Sequence, residues 1–209
     1  MVYKIGLVST HGTGKSTLAA LIAGLLKSRN IEAKYLEEVA TEAKELGLPI
    51  NEQTTLTAQL YILHKHFCNE LVYSENRTNH PNYEVITCDR IGFDNYCYLE
   101  RRLGRNEYAL NMVLEHAKLY PYNRIYFLPI INPNIESGSG VRSVNQEFQL
   151  EMEQNIHEFL HEQKIDYISL PIPAENDPFR EEWTKTIINQ TLEDLEAIKR
   201  IKFDKRYYF

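Results

Sequence analysis

Two hydrophobic periods alternate along this chain. Val2-Tyr3-Lys4-Ile5-Gly6-Leu7-Val8 is an apolar run that reads as a strand, and Leu18, Leu21, Ile22, Leu25 and Leu26 follow at helical spacing. This first helix is expected to end near Arg29-Asn30. Ala33 to Glu37 predicts a second strand, and a short helix after it is terminated by Gly47 and Pro49. Leu56, Leu60, Leu63, Phe67 and Leu71 mark one face of a long helix. Tyr83 to Cys88 predicts a third strand with Asp89 at its carboxyl end. A helical stretch then runs to about Leu119, interrupted near Gly104, and Arg124 to Leu128 predicts a fourth strand.

Pro129 to Gly140 is too rich in turn formers for a regular element, and a lid is expected over about 129–145. A helix is predicted from about Ser143 to Gln163, with Gln146 completing a capping box, and Ile165 to Leu170 forms a fifth strand. Asp177-Pro178 then starts a last helix, from which Trp183, Ile187, Leu192 and Leu195 face inward. Strands alternating with helices predict an α/β fold, an open five-stranded parallel sheet in a single domain over 1–209. Ligands are expected outside the carboxyl ends of the strands.

Composition narrows the class. A chain of 209 residues that is 43% hydrophobic can bury one substantial core. Met1 runs directly into the first strand, and no leader or long apolar run is visible, which predicts a cytoplasmic protein with no membrane partner. The three cysteines, Cys68, Cys88 and Cys97, lack metal-site spacing and are expected to be reduced thiols in or near the core. A net charge of −6 argues against general affinity for polyanions. Local basic clusters exist at Arg101, Arg102 and Arg105, and in the tail at Lys199, Arg200, Lys202, Lys205 and Arg206. The expectation for both is a solvated face.

The chemistry concentrates in Ser9-Thr10-His11-Gly12-Thr13-Gly14-Lys15-Ser16-Thr17, between the first strand and the first helix. This is the context of a phosphate-binding loop: glycines let successive N–H groups turn toward one anion, and the helix start adds its unpaired donors and positive dipole end. Residues His11 to Thr17 are the expected ATP-binding segment. Within it, Lys15 reaches the β- and γ-phosphates, Ser16 offers its hydroxyl to Mg²⁺, and Thr17 lies toward the α-phosphate. Ser9 stands where the usual pattern has its first glycine.

Other strands deliver polar residues to the same edge. The second brings Glu37 and Glu38, and the third brings Asp89 and Arg90, with Asp94 and Tyr98 sharing a helix face beyond them. Asp89 suits a Mg²⁺ shell or the acceptance of a proton from an attacking hydroxyl. Arg90 suits anchoring of an anion, and Arg142, after a glycine-containing loop, suits neutralisation of the transferring phosphoryl group. Glu37, Glu38, Asp94 and Tyr98 are the expected acceptor-binding residues.

The ordered segments SThGTGKSTLA, EEVATEA, VITCDRIGFDNYCY, YNRIYFLP and GVRSVNQEF resemble the NAD-biosynthesis-regulator and thymidylate-kinase-like group of P-loop kinases, which includes nicotinamide riboside kinase domains. The resemblance covers roughly residues 2 to 171. It implies strand order 2-3-1-4-5, ATP with Mg²⁺, and γ-phosphoryl transfer to a hydroxyl or phosphate of a nucleoside- or nucleotide-like small molecule. Lys15 and Ser16 keep their phosphate and metal roles in it, Asp89 becomes the acid at the reacting centre, and Arg142 becomes the lid arginine. The chain departs from the pattern at Thr41, where members often carry arginine, and at Ser139-Gly140, where the lid usually reads Asp-Gly.

Three rival readings follow from the same residues. His157-Glu158-Phe159-Leu160-His161 spells the zinc-protease string HExxH, but Glu162 and Gln163 follow it and no third ligand motif lies downstream. A regulatory P-loop ATPase would bind and hydrolyse ATP without an acceptor. A kinase acting on a hydroxyl in nucleic acid would use Arg101, Arg102 and Arg105 on phosphates.

Overall fold

The computed structural model describes residues 2–75, 82–131, 145–174, 177, 180–199 and 203. Its chain order is β1 (Tyr3–Val8), α1 (Lys15–Lys27), β2 (Ala33–Leu36), α2 (Val39–Glu45), a short 3₁₀ turn (Asn51–Gln53), α3 (Leu56–Ser74), β3 (Val85–Asp89), α4 (Gly92–Leu103), α5 (Glu107–Leu119), β4 (Arg124–Phe127), α6 (Gln146–Glu162), β5 (Ile168–Ser169) and α7 (Glu181–Lys199). The strands form one parallel sheet in the order β2-β3-β1-β4-β5.

Strand β1 is central and buried at all six positions. Its side chains still sort by the two-residue period of a strand. Tyr3, Ile5 and Leu7 join a core with α1 and α7, while Val8 joins a second core with α3, α4, α5 and α6. Helices therefore cover both faces, and every βα connection opens at one edge. Gly6 lies on the α4 side because a Cβ there would sit 2.8 Å from Ile91 Cγ2.

Caps set the helix boundaries. Thr55 accepts from Ala58 N, Asn106 from Ala109 N and Asn145 from Phe148 N. Helix α7 begins at Glu181, later than Asp177-Pro178 suggested, and Asp177 caps it from four residues ahead, accepting from Glu181 N at 2.7 Å and Glu182 N at 3.2 Å. The break between α4 and α5 falls at Gly104, at φ +77°. Trp183, Ile187, Leu192 and Leu195 are all buried.

Three further sequence expectations need correction. Strand β5 holds only Ile168 and Ser169, shorter than the six residues from Ile165 to Leu170 that the apolar run suggested. Helix α3 buries only the middle of the predicted stripe: Leu63 and Phe67 are buried and Leu60 partly so, Leu56 and Leu71 are exposed, and the buried face adds Gln59, Ile62, His66 and Glu70. The reason is a polar network beneath the sheet. Lys4 Nζ donates to Glu70 at 2.6 Å, His116 Nε2 lies 3.0 Å and His66 Nε2 2.8 Å from the same carboxylate, and the Tyr122 hydroxyl also donates to it. Burial by itself favours the neutral acid, yet His116, His66 and Lys4 outweigh it and hold Glu70 well below the usual carboxylate range. Finally, Cys68 is exposed, whereas Cys88 and Cys97 are buried free thiols.

Candidate functional site

The segment between β1 and α1 curls into a loop at the carboxyl edge of the sheet. Gly12 and Gly14 have φ of +78° and +86°, a left-handed conformation that glycine adopts without a Cβ clash. Ser9, in the place of the usual glycine, is fully buried, and its hydroxyl donates to Thr13 Oγ1 at 2.8 Å. The serine therefore braces the loop from inside. Lys15 Nζ donates to the carbonyls of Ser9, at 2.9 Å, and Thr10. Burial, then the nearby Arg90, lowers its pKa to about 8 against the pull of Asp94, Asp89 and Glu38.

His11, Gly12, Thr13, Gly14, Lys15 and Ser16 line a cleft with about 380 Å³ of empty volume, counting its open mouth. Asp89, Arg90 and Glu38 line the same cleft, so the second and third strand ends do converge on the loop. Thr17 is exposed on the first turn of α1.

Asp89 is 1% exposed, and one of its oxygens accepts from the Tyr35 hydroxyl at 3.2 Å. Its other oxygen, Oδ1, is buried with no hydrogen-bond partner among the described residues. Burial and the neighbouring Glu38 push the carboxyl up to about 6, opposed by Lys15, the Ser16 hydroxyl and Arg90. A carboxylate at that value exchanges a proton near neutral pH.

Arg90 follows β3 at φ +77°, where a non-glycine residue carries about 1–2 kcal/mol of strain. Three groups hold it there. Its Nε donates to Glu38, its Nη1 lies 3.7 Å from Asp94 Oδ2, and its guanidinium sits 4.7 Å above the Tyr98 ring. Burial opposes its charge, but Glu38, Tyr98 and Asp94 outweigh that and keep it fully protonated.

Asp94 and Tyr98 sit behind the cleft. Asp94 Oδ1 accepts from Ile91 N at 2.9 Å, closing the first turn of α4, and the Tyr98 hydroxyl accepts the backbone N–H of His11 at 3.1 Å. Both are buried against protein, Asp94 supporting Arg90 and Tyr98 supporting the loop. Glu37 is exposed and lines a neighbouring groove with Glu38, Glu42 and Glu45. Arg142 lies outside the described residues.

The sequence reading missed Tyr35, Gln149 and Arg180. Gln149 Nε2 donates to the His11 carbonyl at 2.7 Å, and a Cβ on Gly14 would collide with the Arg180 guanidinium. No short motif marks these residues, which reach the loop from β2, α6 and the segment before α7.

The string HExxH builds no metal site. His157 bonds the Tyr167 hydroxyl at 3.0 Å and packs on Phe127, while His161 is exposed. Among the described residues no group of three or more His, Cys, Asp and Glu side chains is arranged to hold a metal ion. Two of the arginines considered for nucleic acid are already paired, Arg101 with Glu151 at 2.8 Å and Arg105 with Glu107 at 2.6 Å.

A family model described as an AAA domain matches residues 4–177. The chain belongs to this AAA domain family. Solved structures extend the likeness at the level of fold. NadR protein in complex with NAD and AMP-PNP is 15% identical at a TM-score of 0.56, covering 81% of this chain and 44% of its own. This AAA domain thus spans less than half the length of that protein. Deoxyadenosine kinase from M. mycoides with bound dATP is 18% identical at a TM-score of 0.56, covering 90% and 98% of the two chains. The same kinase with its products dCMP and dCDP gives 18% identity and a TM-score of 0.51. No match was found among curated proteins. Among the described residues of the domain, no helix is long and apolar enough to cross a membrane.

Proposed function

We propose that this AAA domain is a kinase that transfers the γ-phosphoryl group of ATP to a hydroxyl of a small nucleoside-like acceptor. The observation that carries the reading is the place of Asp89: a buried carboxyl, one oxygen held by Tyr35, at the end of β3 in the same cleft as Lys15 and Ser16. The loop from His11 to Thr17 binds the triphosphate through Lys15 and the N–H groups that follow His11. Asp89 takes the proton as the acceptor oxygen bonds to the γ-phosphorus. The bond from that phosphorus to the β–γ bridging oxygen breaks, and ADP leaves.

Ser16 and Asp89 fit Mg²⁺. They are oxygen donors in one cleft, and Asp89 Oδ1 is a buried acceptor without a described partner. Bound there, the ion supplies neutralisation of phosphate charge. Arg90, held by Glu38 and Asp94, adds fixed positive charge beside the reacting group, and Arg142 is assigned the same task from the lid segment.

The acceptor side is acidic. Glu37, Glu38, Glu42 and Glu45 line an open groove beside the cleft, with Lys34, Asn69 and Tyr73. That field favours an uncharged or cationic hydroxyl acceptor over a phosphate. The likeness in fold to a deoxyadenosine kinase supports a nucleoside-like molecule.

The test is γ-labelled ATP with Mg²⁺, alone and against a panel of nucleosides, nucleotides, nicotinamide riboside and base-modified DNA. Label on a nucleoside-like acceptor supports the proposal. Label appearing only as free phosphate, unchanged by any acceptor, replaces it with a regulatory ATPase, and label on DNA replaces it with a nucleic-acid kinase.

A further inference from the structure

We infer that Gln149 is a positioning residue of the phosphate loop: by holding the His11 carbonyl from behind, it aims the Gly12 N–H into the cleft at a bound phosphate. The inference rests on the nucleotide site proposed above.

Gln149 lies in the first turn of α6 and is 5% exposed. Its Nε2 donates to the His11 carbonyl at 2.7 Å, and an added Cβ on Gly12 would lie 2.9 Å from the same nitrogen. The amide therefore touches the loop at the His11–Gly12 junction and nowhere in the cleft itself, which Gln149 does not line. The peptide bond there is trans. Across a trans peptide the C=O and N–H point in opposite directions, so fixing the His11 carbonyl toward α6 turns the Gly12 N–H away from α6. No residue of α6 lines the cleft that Gly12 borders, and from this we place the Gly12 N–H on the cleft side.

Two further contacts make this orientation specific. The N–H of His11 is bonded to the Tyr98 hydroxyl at 3.1 Å, which fixes the preceding peptide and removes that N–H from the phosphate donors. The His11 ring stacks on Phe148, the neighbour of Gln149, with centroids 5.3 Å apart and planes at 28°. Residue 11 is thus clamped by α4 on its nitrogen side and by α6 on its carbonyl side. Glycine at φ +78° leaves the next peptide free to swivel, and Gln149 selects one of its orientations before ligand arrives.

The experiment is calorimetric titration of wild type, Gln149→Met and Gln149→Glu with Mg²⁺-ATP and with inorganic tripolyphosphate, alongside thermal unfolding. Both variants keep the bulk of the side chain and lose the N–H donor. The expected result is a loss of about tenfold in affinity for both ligands in Gln149→Met, the scale of one misaligned hydrogen bond, and a larger loss in Gln149→Glu, whose carboxylate repels the His11 carbonyl and the phosphate; Tm falls in both, because the buried His11 carbonyl loses its donor. Wild-type affinity in both variants overturns the positioning role while leaving the nucleotide site intact. Failure of the wild type to bind either ligand overturns the nucleotide site and this inference with it. If the variants do not fold, ¹⁵N-glycine spectra of the wild type decide. The Gly12 amide must shift on addition of tripolyphosphate, and a stationary Gly12 signal overturns the inference.

Discussion

The Tyr98 hydroxyl accepts the backbone N–H of His11 at 3.1 Å, joining α4 to the phosphate loop across 87 residues of sequence. The same ring carries the Arg90 guanidinium 4.7 Å above it. One side chain thus supports both the loop and the arginine after β3, and neither neighbour can shift without disturbing the other.

Tyr98→Phe keeps the ring under Arg90 and removes the acceptor for a buried N–H. Leaving such a group unsatisfied costs about 1–3 kcal/mol. Denaturant unfolding should show a loss of that size, together with weaker ATP binding; a variant as stable as wild type would mean that the loop finds another acceptor.

Lys15→Met tests the loop lysine. The pKa of this group falls from 10.5 to about 8 in the native protein, so carrying its charge there costs on the order of 3 kcal/mol at neutral pH. The sign is that of a depressed base: the penalty is full below pH 8 and fades as pH rises toward 10.5. Met of similar length removes the charge but also the donor to the Ser9 and Thr10 carbonyls, so the two effects offset and at pH 7 the ligand-free variant should stay within about 3 kcal/mol of wild type while turnover disappears. Retained turnover would remove the phosphate role of Lys15.

Asp89→Asn should slow transfer severely with a modest loss of ATP affinity. For the wild type, rate should fall on the acid side as Asp89 takes up its proton, with a midpoint below the metal-free value of about 6 once Mg²⁺ is beside it. The stability effect has the opposite sense. The native pKa lies above the unfolded 3.8, so the buried charge costs on the order of 3 kcal/mol above pH 6, and the cost shrinks as pH falls from 6 toward 3.8. The variant should therefore be more stable than wild type at pH 7. Unchanged activity would reduce Asp89 to a structural residue.

Glu70→Leu should lose about 3–5 kcal/mol of stability at pH 7, because Lys4 is left as an uncompensated buried charge. The native pKa of Glu70 is depressed, so its contribution is complete above the unfolded carboxylate value and is lost as pH falls through the native one. Urea unfolding at pH 7 measures the difference; a change under 1 kcal/mol would mean that water reaches Lys4.

The sequence by itself determined the alternation of strands and helices, the phosphate loop with its glycines, and the arrival of Glu38, Asp89 and Arg90 at one sheet edge. Each of these is local. Periodicity is written in neighbouring residues, the loop is one continuous segment, and a parallel α/β sheet puts every strand's carboxyl end on the same side. Tertiary structure alone decided what those groups touch. The buried face of α3 keeps Leu63 and Phe67 but extends to His66 and Glu70, because Lys4 of β1, His116 of α5 and Tyr122 of the α5–β4 connection meet there. Asp94 and Tyr98 share a helix face as their spacing requires, yet that face meets the back of the loop, and spacing along a helix does not state what packs against it. Tyr35 and Gln149 reach Asp89 and His11 across 54 and 138 residues, contacts that come into being only when separate elements pack.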